Sequence, residues 1–226
     1  MGAIWRWSGG LVFTASLAWA GYVLTRVWPR VPDAAADDVA PALAWNALLF
    51  TGFAAHHSLL ARPGVKAALD RLAPALARRT TYVWIASLLL AWVFAAWQPV
   101  GHRPYTLEGV WKGLALGAQL AGIALIALSA RVIDPLELAG IRTPATAELE
   151  VRGPYLLVRH PIYLGTLLVL WAAAAPTVDR LWFACLSTAY FAVAVPWEEA
   201  ALQRTIGSEY ARYRERVRWR IVPGLY

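Results

Sequence analysis

Six residues at three points of the chain carry chemistry that their surroundings do not. Arg159, His160 and Tyr163 fall within "RHPIYLG", at the mouth of the apolar run "IYLGTLLVLWAAAA". Glu198 and Glu199 stand together directly after "VAVPW", and His57 lies in "AAHHSLL". Ionisable groups beside hydrocarbon are costly, and where they persist they mark a functional site. An arginine can pair with a carboxylate. A histidine, with an ordinary pKa of about 6.5, can take a proton from a nucleophile such as a thiol. His57, His160 and a glutamate are also zinc-ligand types, but no His-x-x-x-His or HExxH spacing joins them, so no metal is expected.

Each residue has a plainer reading. Arg159 would serve as an anchor at a membrane surface, His160 as a contact at a helix start, His57 as a core residue, and the Glu pair as the acidic opening of a helix. What favours a site is where the elements place them. The chain has 226 residues, of which 59% are hydrophobic and only 15% charged, too few charges for a soluble domain. A hydrocarbon core of about 30 Å needs roughly 20 apolar residues in helix. Six spans are expected, over about 7–27, 39–60, 80–97, 109–130, 161–175 and 180–197, the last ending at Pro196-Trp197. Sixteen of the 21 Lys and Arg residues then fall on the side of the N-terminus and five on the other, which sets that side as cytoplasmic. The net charge of +7 is therefore a matter of topology, and no nucleic acid is expected. Between spans, "PGVKAALDRLAPALARR" reads as an interfacial helix. The tail reads as an amphipathic helix with Ala201, Leu202, Thr205 and Ile206 on its apolar face and a break at Gly207. The lone Cys185 is expected to be a small core residue. On this topology His57, Arg159, His160, Glu198 and Glu199 all reach one membrane level on the cytoplasmic side.

The motif "RHPIYLG", a span, the pair Glu198-Glu199 and then "GSEYARYRERV" resemble the signature of the isoprenylcysteine carboxyl methyltransferase and phospholipid methyltransferase superfamily. That signature is R-H-P-x-Y-x-G, a helix with Glu-Glu, and G-x-x-Y-x-x-Y-x-x-x-V, and residues 152–217 match it in order. Upstream, "HHSLLARPGVKAAL" and "SARVIDPLELAGIR" resemble the NnrU-type branch, which includes bacterial methanethiol S-methyltransferases. The resemblance implies S-adenosylmethionine as cofactor, bound at the cytosolic membrane face. It places His160, Pro161, Tyr163 and Gly165 against the cofactor and Glu198 and Glu199 at its polar end or ribose; Trp197, Tyr155, Tyr210 and Tyr213 are available as aromatic faces for the cationic sulfonium. Arg159 and His57 become the catalytic candidates, His57 as base on the acceptor side. The tail departs from the signature: Arg218 stands where a proline is usual, with one residue extra.

The reading is an all-α, polytopic membrane bundle of about six spans plus interfacial helices and an amphipathic C-terminal helix. It forms one domain over 1–226, with its cofactor part at about 152–223. It is expected to transfer a methyl group from S-adenosylmethionine to a small thiol or lipophilic acceptor, in a bacterial cytoplasmic membrane with the site facing the cytoplasm. The bilayer is the expected partner, and the oligomeric state is left open. Prenylcysteine carboxyl or phospholipid amine methylation, and a non-catalytic NnrU-type accessory protein or transporter, are the alternatives.

Overall fold

The computed structural model describes residues 2–30, 39–60, 62, 65, 75–142, 149 and 151–226, with backbone alone for 75–78. Among them the regular elements are all helical: α1 (Ala3–Tyr22, continued as a π-helical turn Val23–Val27), α2 (Val39–Leu59), α3 (Ala75–Ala95), α4 (Gly109–Ile133), α5 (Pro135–Leu138), α6 (Pro161–Trp171), α7 (Val178–Ile206) and α8 (Ser208–Arg216). A 3-10 turn spans Gly153–Leu156. Four segments are long and apolar enough to cross a bilayer: Ala3–Val27, Val39–Leu59, Gly109–Ile133 and Val178–Ile206. Arg79–Ala95 and Pro161–Trp171 are apolar but shorter. Leu11, Leu48, Leu116 and Val193 on these helices are exposed, as lipid-facing residues are. The chain is an integral membrane protein.

The chain divides into two compact units. The first comprises Met1–Pro104, Leu136–Thr143 and Pro176–Trp182. Here α3 packs against α1 and α2, with Trp5 and Trp84 stacked at 5.3 Å. Its polar groups are clasped by side chains. Buried Asp179 accepts from Trp97 Nε1 at 2.9 Å, Val100 N at 2.9 Å and Gly101 N at 3.0 Å. Asn46 exchanges two 2.8 Å bonds with the backbone of Gln98. Such partners are obligatory where no water reaches.

The second unit comprises Tyr105–Pro135, Pro144–Ala175 and Phe183–Tyr226. Here α4 and α6 meet through glycines. A Cβ on Gly122 would lie 2.6 Å from the Gly165 carbonyl oxygen, and one on Gly165 would lie 2.6 Å from that of Gly122. Helices without side chains at the crossing approach backbone to backbone, the usual device where lipid supplies no hydrophobic drive. Trp171 Nε1 donates to Thr188 Oγ1 at 3.0 Å and ties α6 to α7.

Two expectations need correction. The last span does not end at Trp197: α7 runs through Pro196 to Ile206. Proline removes one helical N–H, here the partner of the Ala192 carbonyl, but does not end the helix when that carbonyl is satisfied elsewhere. Tyr226 Oη donates to it at 3.2 Å. Cys185 is exposed rather than packed in a core, because a membrane helix turns small and apolar residues outward at no penalty. The break at Gly207 is present, with φ of 70°, and Leu202 and Ile206 pack on the cluster of Tyr210, Tyr213 and Val217. The interfacial helix expected over 63–79 lies largely outside the described residues.

Replacing Gly122 with valine forces α4 and α6 apart, and overpacking of this kind costs about 1–3 kcal/mol. The expected outcome is a lower unfolding temperature in detergent for Gly122→Val, while Gly113→Val, which has open space around it, unfolds with the parent.

Candidate functional site

The segment before α6 cannot be helical through its length, because the residue ahead of a proline is pushed to extended backbone. His160 lies outside the helical region, with φ −124° and ψ 65°, and Pro161 opens α6. The backbone here pairs with the tail: Arg159 N donates to Trp219 O at 2.9 Å and His160 N to Arg220 O at 2.8 Å. This aims the Arg159 side chain inward, where it is 8% exposed.

There it meets Glu199, from the part of α7 beyond Pro196. Arg159 Nε donates to Glu199 Oε1 at 2.6 Å and Nη2 to Oε2 at 3.1 Å, a bidentate pair. Arg159 Nη1 donates to the carbonyls of Val217 at 2.7 Å and Arg218 at 2.8 Å. Arg220 Nε adds a third contact to Glu199 Oε2 at 3.2 Å. Arg220 is itself braced by Tyr226, through a 3.2 Å hydrogen bond from Nη1 to the hydroxyl and a guanidinium 5.1 Å from the ring centroid.

Glu198, one position earlier, turns about 100° away along the helix and meets other partners. Tyr163 Oη donates to its Oε1 at 2.6 Å, and its Oε2 lies 3.7 Å from His160 Nδ1. Its side chain is 37% exposed, against 3% for Glu199. The His160 and Tyr163 rings stack at 5.4 Å, and Tyr163 stacks on Phe191 at 4.2 Å. His160 Nε2 is buried 3.4 Å from Glu199 Oε1.

The tyrosines lie beside this network. Tyr213 Oη donates to the Tyr155 carbonyl at 2.8 Å, and the buried Tyr210 hydroxyl has no partner. Burial pushes the Tyr213 hydroxyl up to about 12 and raises those of Tyr155 and Tyr210. All three are neutral at physiological pH. Among the described residues no group of three His, Cys, Asp or Glu is placed to hold a metal ion.

The structure thus gathers Arg159, His160, Pro161, Tyr163, Glu198 and Glu199 within the second unit, with Tyr155 in the 3-10 turn and Tyr210 and Tyr213 on α8 beside them. Gly165 serves the crossing with α4. His57 belongs to the first unit, where Tyr82 Oη lies 2.7 Å from its Nδ1 and 3.2 Å from its carbonyl oxygen. Its ring stacks with Phe53, while His56 stacks on Tyr82. Arg220, Tyr226 and Phe191 were not anticipated.

An integral membrane protein with a buried Arg–Glu lock beside a second, outward carboxylate and an aromatic stack is the class this site defines. Comparison with known proteins gives it a family. The chain is 35% identical over 225 residues to methanethiol S-methyltransferase 2 of Bradyrhizobium diazoefficiens, covering 95% of this chain and 86% of the relative. It is 32% identical over 219 residues to methanethiol S-methyltransferase of Mycobacterium tuberculosis, covering 92% and 90%. Nurim of Sus scrofa is 31% identical over 170 residues, covering 67% and 64%. No protein-family profile matches the chain, and no solved structure matches it. The chain belongs to the methanethiol S-methyltransferase family and is a membrane methyltransferase.

Removing one partner of a buried ion pair strands the other, a loss of about 3–5 kcal/mol. Arg159→Ala is expected to lose that much in chemical unfolding. Arg159→Lys should recover little of it, since an ammonium cannot span both Glu199 oxygens and the tail carbonyls at once.

Proposed function

We propose that the protein transfers a methyl group from S-adenosylmethionine to a small thiol, within the isoprenylcysteine carboxyl methyltransferase superfamily and its NnrU-like branch. The observation that carries this reading is the division of labour between adjacent carboxylates. Glu199 is neutralised by Arg159 and Arg220. Glu198 keeps an outward oxygen beside the stacked His160 and Tyr163 rings. An exposed carboxylate next to aromatic faces suits a sulfonium cation, and the unpartnered Tyr210 hydroxyl is a polar atom a ligand would satisfy. The printed names of the relatives support the thiol as acceptor.

The cofactor, when bound, supplies the electrophilic methyl group; the chain supplies binding, alignment and exclusion of water. Glu198, Tyr163 and His160 would hold it, with Pro161 and Gly165 shaping the start of α6 and Tyr155, Tyr210 and Tyr213 closing the tail side. Arg159 acts through Glu199 and is a positioning residue. His57 is the proposed base for the acceptor. A free thiol has a pKa of about 8.5, so a neutral imidazole oriented by Tyr82 raises the thiolate fraction. We also propose one functional domain over 1–226, with the cofactor part at about 152–223. The two shorter apolar helices complete six spans, with both termini on the cytoplasmic side of a bacterial inner membrane.

Titration of the detergent-solubilised protein with S-adenosylhomocysteine should release or absorb heat at micromolar ligand. Glu198→Gln should weaken that binding at least about tenfold with no change in unfolding temperature. Methylation of a panel of thiols, prenylcysteines and amines, followed by mass spectrometry, should yield thioethers. His57→Ala should lower turnover at saturation about 10²-fold, the effect of a lost general base, while leaving the homocysteine derivative bound. No heat and no methylated thiol at any concentration sinks the reading; full turnover of His57→Ala removes His57 from it.

The orientation has its own test. In a Cys185→Ala background, Thr106→Cys should react with an impermeant maleimide added outside intact cells, and Arg212→Cys should react only after the membrane is opened. Reversed labelling would turn the protein over.

A further inference from the structure

The tail of the second unit contains a cleft lined by none of the residues proposed to hold the cofactor. It is open, about 680 Å³ in volume, and lined by Arg159, Arg214, Arg218 and Arg220 against one acidic residue, Glu215, with the rings of Trp219 and Tyr226 on its walls. Two of the arginines are committed, Arg159 to Glu199 and the tail carbonyls, Arg220 to Glu199 and Tyr226. The side chains of Arg214 and Arg218 enter no ion pair and no hydrogen bond among the described residues, and neither does the Trp219 indole N–H. Like charges converging on one cleft repel, so the arrangement suits an anion that the chain does not itself provide.

Charge and size narrow the occupant. A sulfonium cofactor carries one carboxylate against a sulfonium and an ammonium, so its net positive charge is opposed by a cleft lined with four guanidinium groups. Guanidinium groups match tetrahedral phosphate oxygens through paired N–H donors. The volume lies within the roughly 300–1,000 Å³ typical of small organic ligands and exceeds what a bare phosphate ion fills. Beside Tyr226, Leu225 is 81% exposed, and Trp219 is 38% exposed. A tryptophan and an exposed leucine flanking basic residues is the composition of a surface at lipid head-group depth.

We propose that this cleft binds a phosphate ester, and that its occupant is the head group of an anionic phospholipid. Arg214, Arg218 and the Trp219 N–H hold the phosphate, and Glu215 limits the affinity. This goes beyond the methyl-transfer reading and does not depend on it.

The test uses the full-length protein in a neutral detergent. Short-chain phosphatidylglycerol, short-chain phosphatidylcholine, inorganic phosphate and S-adenosylhomocysteine are titrated separately and in competition, read by thermal unfolding and native mass spectrometry. Phosphatidylglycerol should bind saturably, at least tenfold tighter than phosphatidylcholine. The double variant Arg214→Gln, Arg218→Gln should lose at least tenfold in that affinity with an unchanged unfolding temperature in the absence of lipid. Glu215→Gln should tighten binding, which keeps the test decisive should the double variant fail to fold. Equal binding of the two lipids, or parent affinity in a folded double variant, overturns the proposal. Displacement by inorganic phosphate at equal concentration overturns the lipid as occupant. Competitive displacement by S-adenosylhomocysteine would make the cleft part of the cofactor site and overturn it as a separate one, leaving the methyltransferase reading intact.

Discussion

The second unit is organised around one buried guanidinium. Arg159 has five N–H donors, and four hydrogen bonds connect it to Glu199 and to the carbonyls of Val217 and Arg218. Each partner comes from a different part of the chain: the residue itself from the approach to α6, the carboxylate from the far part of α7, the carbonyls from beyond α8. A buried charge tolerates no slack, since a lost partner leaves it stranded in low dielectric. The pair therefore determines where the tail returns and which way α6 enters, and it leaves Glu198 outside the lock, more exposed and bonded to Tyr163.

Two backbone constraints work alongside it. Pro196 leaves the Ala192 carbonyl without its helical donor, and the Tyr226 hydroxyl supplies one at 3.2 Å. The same tyrosine braces Arg220, so the device that lets α7 continue past proline also holds the second cation on Glu199. The glycine crossing of α4 and α6 is the other constraint. It admits no side chain, and it sets the path of the helix that carries Pro161 and Tyr163. A membrane enzyme has little hydrophobic drive to hold helices together, so close backbone approach and fully satisfied polar groups take that role. The first unit follows the same rule with different residues, in the Asp179 and Asn46 clasps.

Much of this protein is legible in its residues alone. Apolar runs of spanning length require helices, because a bilayer leaves backbone groups no partner but their own. The resemblance of Arg159 to Gly165, Glu198-Glu199 and Gly207 to Val217 to one signature is local and ordered, so it is read without a structure. The glycine break before α8, and Leu202 and Ile206 as its packing face, were equally local, since each depends on one residue type or on helical spacing.

What only the tertiary structure decided are choices between near-equivalent residues. Nothing in "WEEA" says which glutamate is locked and which faces outward; a rotation of about 100° per residue, fixed by where α7 sits against Arg159, makes Glu199 buried and Glu198 exposed. Nothing in "VAVPW" says that the helix continues, because the donor that rescues the Ala192 carbonyl lies 34 residues away. Gly165 reads as a motif residue until Gly122 is found opposite it. The roles of Arg220 and Tyr226 were out of reach for the same reason: hydrogen bonds and ion pairs join residues by distance in space, and a linear pattern records only the neighbours that the backbone itself brings together.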